Sequence, residues 1–451
     1  AVQKISHEKW LYALQHLRDL HLLAEKDDYR PDTLDCHPII REHFGEKLRK
    51  HNPAAWRIAH SRLYKYYKNL PDKEYPDTLD EMQPLFIAVA HGCMAGRYQE
   101  TLEDVYWKRI QRKGEGYSVH KLDAFGAELA ALSGFFKTPW STPASGLSDS
   151  AKAFVLHEAG FSLRALGRLR EVIQPMQTGL DAYIQQKNWG YAARVAGNLS
   201  ELFLTMGEVN RAVAYARQSV EYVDRSEDAF QKIAIRTALA DALHHSGDLA
   251  GAESLFREAE EMLKKYQPNY PFLYSIMSFR FCDLLLLTGR YRDVLKRAKA
   301  TFEIAQKKKE PLIIALNALS LGRSCLIQAQ EEQTGDFSLA VDYLDRAVDG
   351  LRESGNQDDL PRGLLTRAEI FRAQKDYQKA RADLDESREI AERSGMRLYL
   401  ADYHLEAARL CLTEGDRDKA REHRETEKAM IEKMGYHRRD GEVEKLERMS
   451  G

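Results

Sequence analysis

Leu204-Thr205-Met206-Gly207-Glu208-Val209-Asn210-Arg211-Ala212 is the stretch that decides the fold. A glycine is followed at two residues by an apolar side chain and at five by alanine. The pattern returns as Gly247-Asp248-Leu249-Ala250-Gly251-Ala252, and with valine for alanine as Gly289-Arg290-Tyr291-Arg292-Asp293-Val294. It returns again at Gly335…Ala340 and Gly415…Ala420, upstream at Gly167…Val172, and with lysine for glycine at Lys375…Ala380. The anchors 167, 207, 247, 289, 335, 375 and 415 are spaced by 40, 40, 42, 46, 40 and 40 residues. One corner grammar at a near-constant period is the mark of a repeat array.

Each element of the grammar has a physical reason. Glycine ends a first helix because it adopts positive φ without a Cβ penalty. The next residue, often aspartate, caps a second helix. The apolar residue packs back across the corner, and the alanine lets the two helices approach. Small and large residues alternate at helical spacing through stretches such as Ala192–Phe203, Ile235–Leu243 and Ala401–Leu412. The expected fold is all-α, a right-handed α-α superhelix of tetratricopeptide-like hairpins, with a small winged-helix-like piece at the N-terminus. The 46-residue step predicts a lengthened inter-helix loop at Gln330–Gly335. The 42-residue step goes with the proline-bearing connection Gln267-Pro268-Asn269-Tyr270-Pro271.

The organisation read from the 451 residues is a helical, winged-helix-like segment over 1–75, divergent hairpins over 76–145, about seven regular hairpins over 146–435 and a charged tail over 436–451. Gly96-Arg97-Tyr98 echoes the corner grammar in the second segment. The tail is expected to fray beyond a last helix with a wetter face. In the first segment a short extended piece at Leu34–Cys36, then a helix opening at Pro38, suits part of a winged helix. Ala1, in place of methionine, fits processing or tag removal, and its opening inside helical-looking sequence fits equally a piece of a larger chain.

Composition narrows the function. Basic and acidic residues number 67 and 69, a near balance that gives no general attraction to nucleic acid or membrane. The five cysteines are odd in number and form no CxxC pair, which speaks against a disulfide framework or a zinc cluster and for the cytoplasm. No signal peptide and no apolar stretch long enough to span a bilayer is read.

Cys36-His37-Pro38-Ile39-Ile40-Arg41-Glu42-His43-Phe44 resembles the His-Pro-Leu-x-Arg-Glu-aromatic-Phe segment in the winged-helix region of STAND signal-transduction ATPases, including NACHT-type proteins. Bacterial members often follow that region with tetratricopeptide repeats. The resemblance implies that the repeats are a sensor, that ligand binding there releases autoinhibition, and that an NTPase domain lies N-terminally in cis. It would make His37 the motif histidine, which can face nucleotide in related proteins. No GxxxxGK[ST] element is present, so this chain by itself is not expected to hydrolyse ATP.

No catalytic, cofactor or metal signature appears: no HExxH pair, no GxSxG elbow. Acidic residues such as Glu253 and Glu261 read as a solvated face paired with Arg257 and Lys264. His244-His245, at the end of a first helix, needs no more than a capping or surface role. The expected functional surface is the concave side lined by first helices. Its candidate ligand-binding residues are Arg194, Asn198, Glu201, Arg236, Asp241, Arg280, Asp283, Asn317, Arg323 and Arg367, with Glu369 beside them. Tyr191, Tyr274, Phe279 and Phe281 are aromatic anchors or core. The leading expectation is a non-enzymatic scaffold that takes a protein or peptide in its groove. The alternatives are a small-molecule receptor using the same groove and a stand-alone adaptor.

Overall fold

The computed structural model describes residues 5–25, 34–333 and 335–450, with side chains to 448. Three N-terminal helices, α1 (His7–Asp19), α2 (Pro38–His51) and α3 (Pro53–Asn69), precede α4 (Leu79–Met94) and α5 (Tyr98–Thr101). The last of these runs into a π-helical segment, Leu102–Ile110. Two short helices, α6 (Tyr117–His120) and α7 (Phe125–Ser133), and a two-stranded ribbon, β1 (Phe136–Thr138) with β2 (Thr142–Pro143), lead into the array. α2 opens at Pro38 as expected, with His37 Nδ1 accepting from the Ile39 N–H at 3.3 Å. No paired strand forms at Leu34–Cys36.

Seven hairpins follow: α8 (Asp149–Ala165) with α9 (Leu169–Gln185), α10 (Trp189–Thr205) with α11 (Val209–Asp224), and α12 (Ala229–His245) with α13 (Leu249–Tyr266). They continue as α14 (Ile276–Leu287) with α15 (Tyr291–Lys308), α16 (Pro311–Glu331) with α17 (Ser338–Glu353), α18 (Leu360–Ala373) with α19 (Tyr377–Ser394), and α20 (Arg397–Glu414) with α21 (Arg417–Met434). All seven anchors have positive φ, Lys375 included at 63°. At Gly207 the turn is a Schellman motif. Its N–H reaches Leu204 O at 2.9 Å, and the Glu208 N–H reaches Phe203 O at 2.7 Å. Asp248, Asp376 and Asp416 cap their second helices by accepting from the N–H three residues on. The alanine or valine five residues past each corner is buried in every hairpin.

Three sequence expectations change. The extra residues before Gly335 lengthen a helix, not a loop: α16 continues through Gln330 and Glu331. At 21 residues this helix is also long and apolar enough to cross a membrane, which corrects the reading that no such stretch exists. Its apolar surface is mostly buried between neighbouring hairpins, where the array needs it. The tail expected over 436–451 is a 3₁₀ turn, His437–Arg439, and helix α22 (Asp440–Ser450). Tyr436, Arg438, Val443 and Leu446 are buried, so this segment belongs to the packed body.

The array turns far enough to meet itself. The Gln357 N–H, in the connection between the fifth and sixth hairpins, donates to Ala165 O of the first at 2.8 Å. A Cβ added at Gly207 would meet Met434 and Arg397, and one at Gly247 would meet His437. The corners of the early hairpins therefore rest on the end of the array.

Candidate functional site

Closing the turn surrounds a central channel. Its larger cavity, about 480 Å³, is lined from the first helix of every hairpin: Phe161, Asn198, Asp241, Arg280, Ile313, Arg362 and Tyr399 each come from a different one. A second cavity of about 350 Å³ shares His245, Arg362, Leu398 and Tyr399 with the first. Residues of α6 and its flanks, such as His120 and Asp123, bound the larger cavity, and Tyr436, Arg438 and Arg439 bound the smaller.

The register of this wall follows from the repeat. The position six before each corner holds Phe161, Glu201, Asp241, Asp283, Glu369 and Arg409 in six of the seven units, and all six line a cavity. A helix turns about 100° per residue, so a residue two or five positions from this phase points well away from the channel. Arg367, two before Glu369, instead pairs with Asp383 at 2.7 Å and Asp345 at 3.1 Å. Arg236, five before Asp241, pairs with Asp224 at 3.0 Å and Glu258 at 2.8 Å. Asn317 is buried between helices, accepting from Thr301 Oγ1 at 2.6 Å and donating to Ile313 O at 2.8 Å. These three of the expected groove residues do not line either cavity. Asn198, Glu201, Asp241 and Arg280 line the larger and Asp283, Arg323 and Glu369 the smaller. Arg194 lines a small adjoining space with Asn198. Phe279 and Phe281 are core, as is most of Tyr274.

The channel charges are engaged with one another across hairpins. Glu201 accepts from both Arg164 and Arg280. Burial would raise its carboxyl, but the two guanidiniums prevail and hold it at about 2. Arg280 also lies 3.6 Å from Asp241. Asp283 is paired with Arg323 at 2.5 Å and Arg438 at 2.6 Å, which keep it well below the usual carboxylate range despite burial. Tyr436 hydrogen-bonds Asp402 at 3.1 Å, and Arg439 pairs with the same carboxylate at 2.8 Å.

Sequence reasoning missed Arg164, Asp358, Arg362, Tyr399 and Arg438. Asp358 lies in the connection between hairpins, and Arg438 beyond the array, so neither has a repeat phase to read. His244 and His245 are buried, not surface residues. The His245 ring stacks on Tyr436 with centroids 5.7 Å apart. Ligand atoms of Asp241, His244 and His245 lie within 4.8 Å of one another. Arg280 at Asp241 and Arg438 at 3.4 Å from His245 Nε2 place guanidiniums against that group, which opposes a metal dication there.

No family model matches the chain, and no curated protein matches it significantly. Among solved structures, 42 chains match. One is a Rap protein complexed with competence and sporulation factor, with TM-score 0.47 and 14% identity, covering 79% of this chain and 98% of that one. Another is a signal-transduction ATPase with numerous domains and a tetratricopeptide-repeat sensor from Pyrococcus horikoshii, with TM-score 0.45 and 14% identity. The match covers 99% of this chain and 63% of that one. A third is aspartyl phosphate phosphatase F from Bacillus subtilis, with TM-score 0.30 and 14% identity, covering 90% and 93%.

Proposed function

We propose that the chain is a recognition scaffold that binds a protein or peptide segment in its central channel. The observation that carries this reading is the wall itself: first helices of seven hairpins converge on one polar, aromatic-edged space. Spreading contacts over many units is how such arrays gain specificity. A channel of this size takes a short segment or a side-chain cluster, not a folded domain.

A small molecule is the second reading, favoured by the larger cavity's volume of about 480 Å³, which falls within the range of small-ligand pockets. In either case we take the chain to be the sensing and autoinhibitory region of a larger signal-transduction ATPase. The Cys36–Phe44 motif supports this. So does the apolar surface of α1–α3, where Leu11, Tyr12, Ile39, Phe44, Ile58 and Tyr66 are exposed. Such a surface is what a neighbouring domain in cis would cover.

The test is a channel-filling substitution. Thr205→Trp places an indole in the larger cavity, which Thr205 lines. A partner or ligand recovered with the wild-type chain should bind it directly in titration and lose most of its affinity for Thr205→Trp. Full retention of affinity in a folded Thr205→Trp variant would move the recognition surface elsewhere.

A further inference from the structure

Two acceptors in the wall of the larger cavity have no donor. Asn356 Oδ1 and Asp358 Oδ1 are buried without a hydrogen-bond partner, and both residues are only 7% exposed. Both line the cavity. The other carboxylate oxygen of Asp358 lies 3.3 Å from Arg164 Nε. A buried acceptor left unpaired is costly, and its complement is a donor supplied by whatever fills the space.

The neighbouring cations are already engaged with other groups, though the Arg164 Nε–H beside Asp358 makes no hydrogen bond. Arg164 and Arg280 both donate to Glu201. Lys121 donates to Lys308 O at 2.6 Å and pairs with Glu310 at 3.6 Å. Arg362 Nη2 donates to the Tyr399 hydroxyl at 3.0 Å. Across the connection from Asn356, the Asp123 carbonyl lies against Gly355, within 3.7 Å of where a Cβ would stand. Asp123 lines the same cavity, and no ion pair joins it to a described cation. Burial raises the carboxyls of both Asp123 and Asp358, as expected where the ionised form lacks sufficient partners. Phe125 and Phe161 supply an apolar wall beside these groups, with ring centroids 6.2 Å apart.

We infer that the Asp123–Asn356–Asp358 corner of the channel binds a cationic nitrogen group, an alkylammonium or guanidinium, whose hydrocarbon stem lies along Phe125 and Phe161. This assignment rests on the recognition reading and names the chemistry of the ligand. The cation supplies the missing donors to Asn356 and Asp358 and charge to Asp123. An anionic group would meet unpaired acceptors instead. The group arrives either on a basic side chain of a peptide or on a free polyamine.

The experiment titrates the chain by calorimetry and thermal shift with spermidine and with a blocked alanine–lysine–alanine tripeptide. Counterparts with norleucine or glutamate in place of lysine are the controls. At least one cationic probe should bind and the controls should not. Asp358→Asn should weaken that binding about tenfold or more, the loss of one charge-assisted contact. Should Asp358→Asn fail to fold, Asp123→Asn, at the half-buried edge of the corner, carries the test with a smaller loss in the same direction. Binding of spermidine alone points to a free amine, and binding of the lysine tripeptide alone to a peptide-borne one. The assignment is overturned if norleucine or glutamate probes bind as well as lysine, if the variants keep full affinity, or if no cationic probe binds at millimolar concentration. Those results leave the recognition reading standing when a captured partner still loses affinity for Thr205→Trp. Loss of that discrimination, with cation binding intact, would sink the partner reading alone.

Discussion

Arg438 grips the Asp283 carboxylate with both ends of its guanidinium, Nη1 to Oδ2 at 2.6 Å and Nη2 to Oδ1 at 3.1 Å, across 155 residues of sequence. Both side chains are buried. The contact fastens the C-terminal segment to the fourth hairpin at the wall of the smaller cavity. Arg438→Ala removes one of the two cations that neutralise Asp283 and leaves only Arg323. Breaking a buried pair from one side leaves the other charge less compensated, so with Arg323 still present the expected loss is about 3 kcal/mol. Denaturant unfolding measures it. A double-mutant cycle with Asp283→Ala should show strong coupling, and additive losses would contradict the contact.

Closure of the superhelical turn has its own test in glycine. Gly289 and Gly247 share positive φ, 75° and 89°. Nothing approaches a Cβ at Gly289 within 4 Å, whereas one at Gly247 would stand 2.8 Å from His437 Cβ. Gly289→Ala should therefore cost only the left-handed backbone penalty, about 1–2 kcal/mol. Gly247→Ala should cost more and should also loosen the C-terminal segment. Hydrogen exchange over residues 436–446 would report that loosening. Equal effects of the two substitutions would mean that the turn does not close.

Lys375 occupies a corner that the other repeats give to glycine, with φ of 63°. Lys375→Gly relieves the left-handed strain, about 1–2 kcal/mol, and returns about 0.5–1 kcal/mol through greater freedom of the unfolded chain. A net stabilisation of about 0.5 kcal/mol is expected, visible as a higher urea midpoint with an unchanged slope. A lower midpoint would show that the lysine side chain contributes more than its backbone costs.

Glu427 on α21 is fully buried, and neither carboxylate oxygen has a hydrogen-bond partner. Burial pushes its carboxyl up to about 8, against the pull of Arg439 and with a push from Asp402. The folded state thus prefers the protonated form more than the unfolded chain does. That contribution is complete below the unfolded value near 4.5 and is lost as pH rises through about 8. Glu427→Gln keeps the shape without the charge. It should match wild type near the acid end of this window and exceed it by roughly 2–4 kcal/mol above the folded value. Stability curves of the two proteins that run parallel through that window would place the charge elsewhere.

The channel was partly legible in advance. Glu201, Asp241 and Asp283 recur six residues before a corner, and one helical phase faces one side. Arg236 and Arg367 stand at other phases, which at about 100° per residue point toward α13 and α19 instead. The buried role of His245 was not legible, because its partners Tyr436 and Arg438 lie outside the repeat.

What the sequence determined by itself was local and periodic: where each helix stops, which residue caps the next, and which face is oily. Corner glycines, capping aspartates and packing alanines act within a few residues of themselves, so their pattern can be read without knowing the fold. That the array bends far enough for Ala165 to meet Gln357 and for Arg438 to meet Asp283 is set by packing between distant hairpins. That curvature sums a small rotation at every hairpin interface, and no single stretch of sequence encodes the sum.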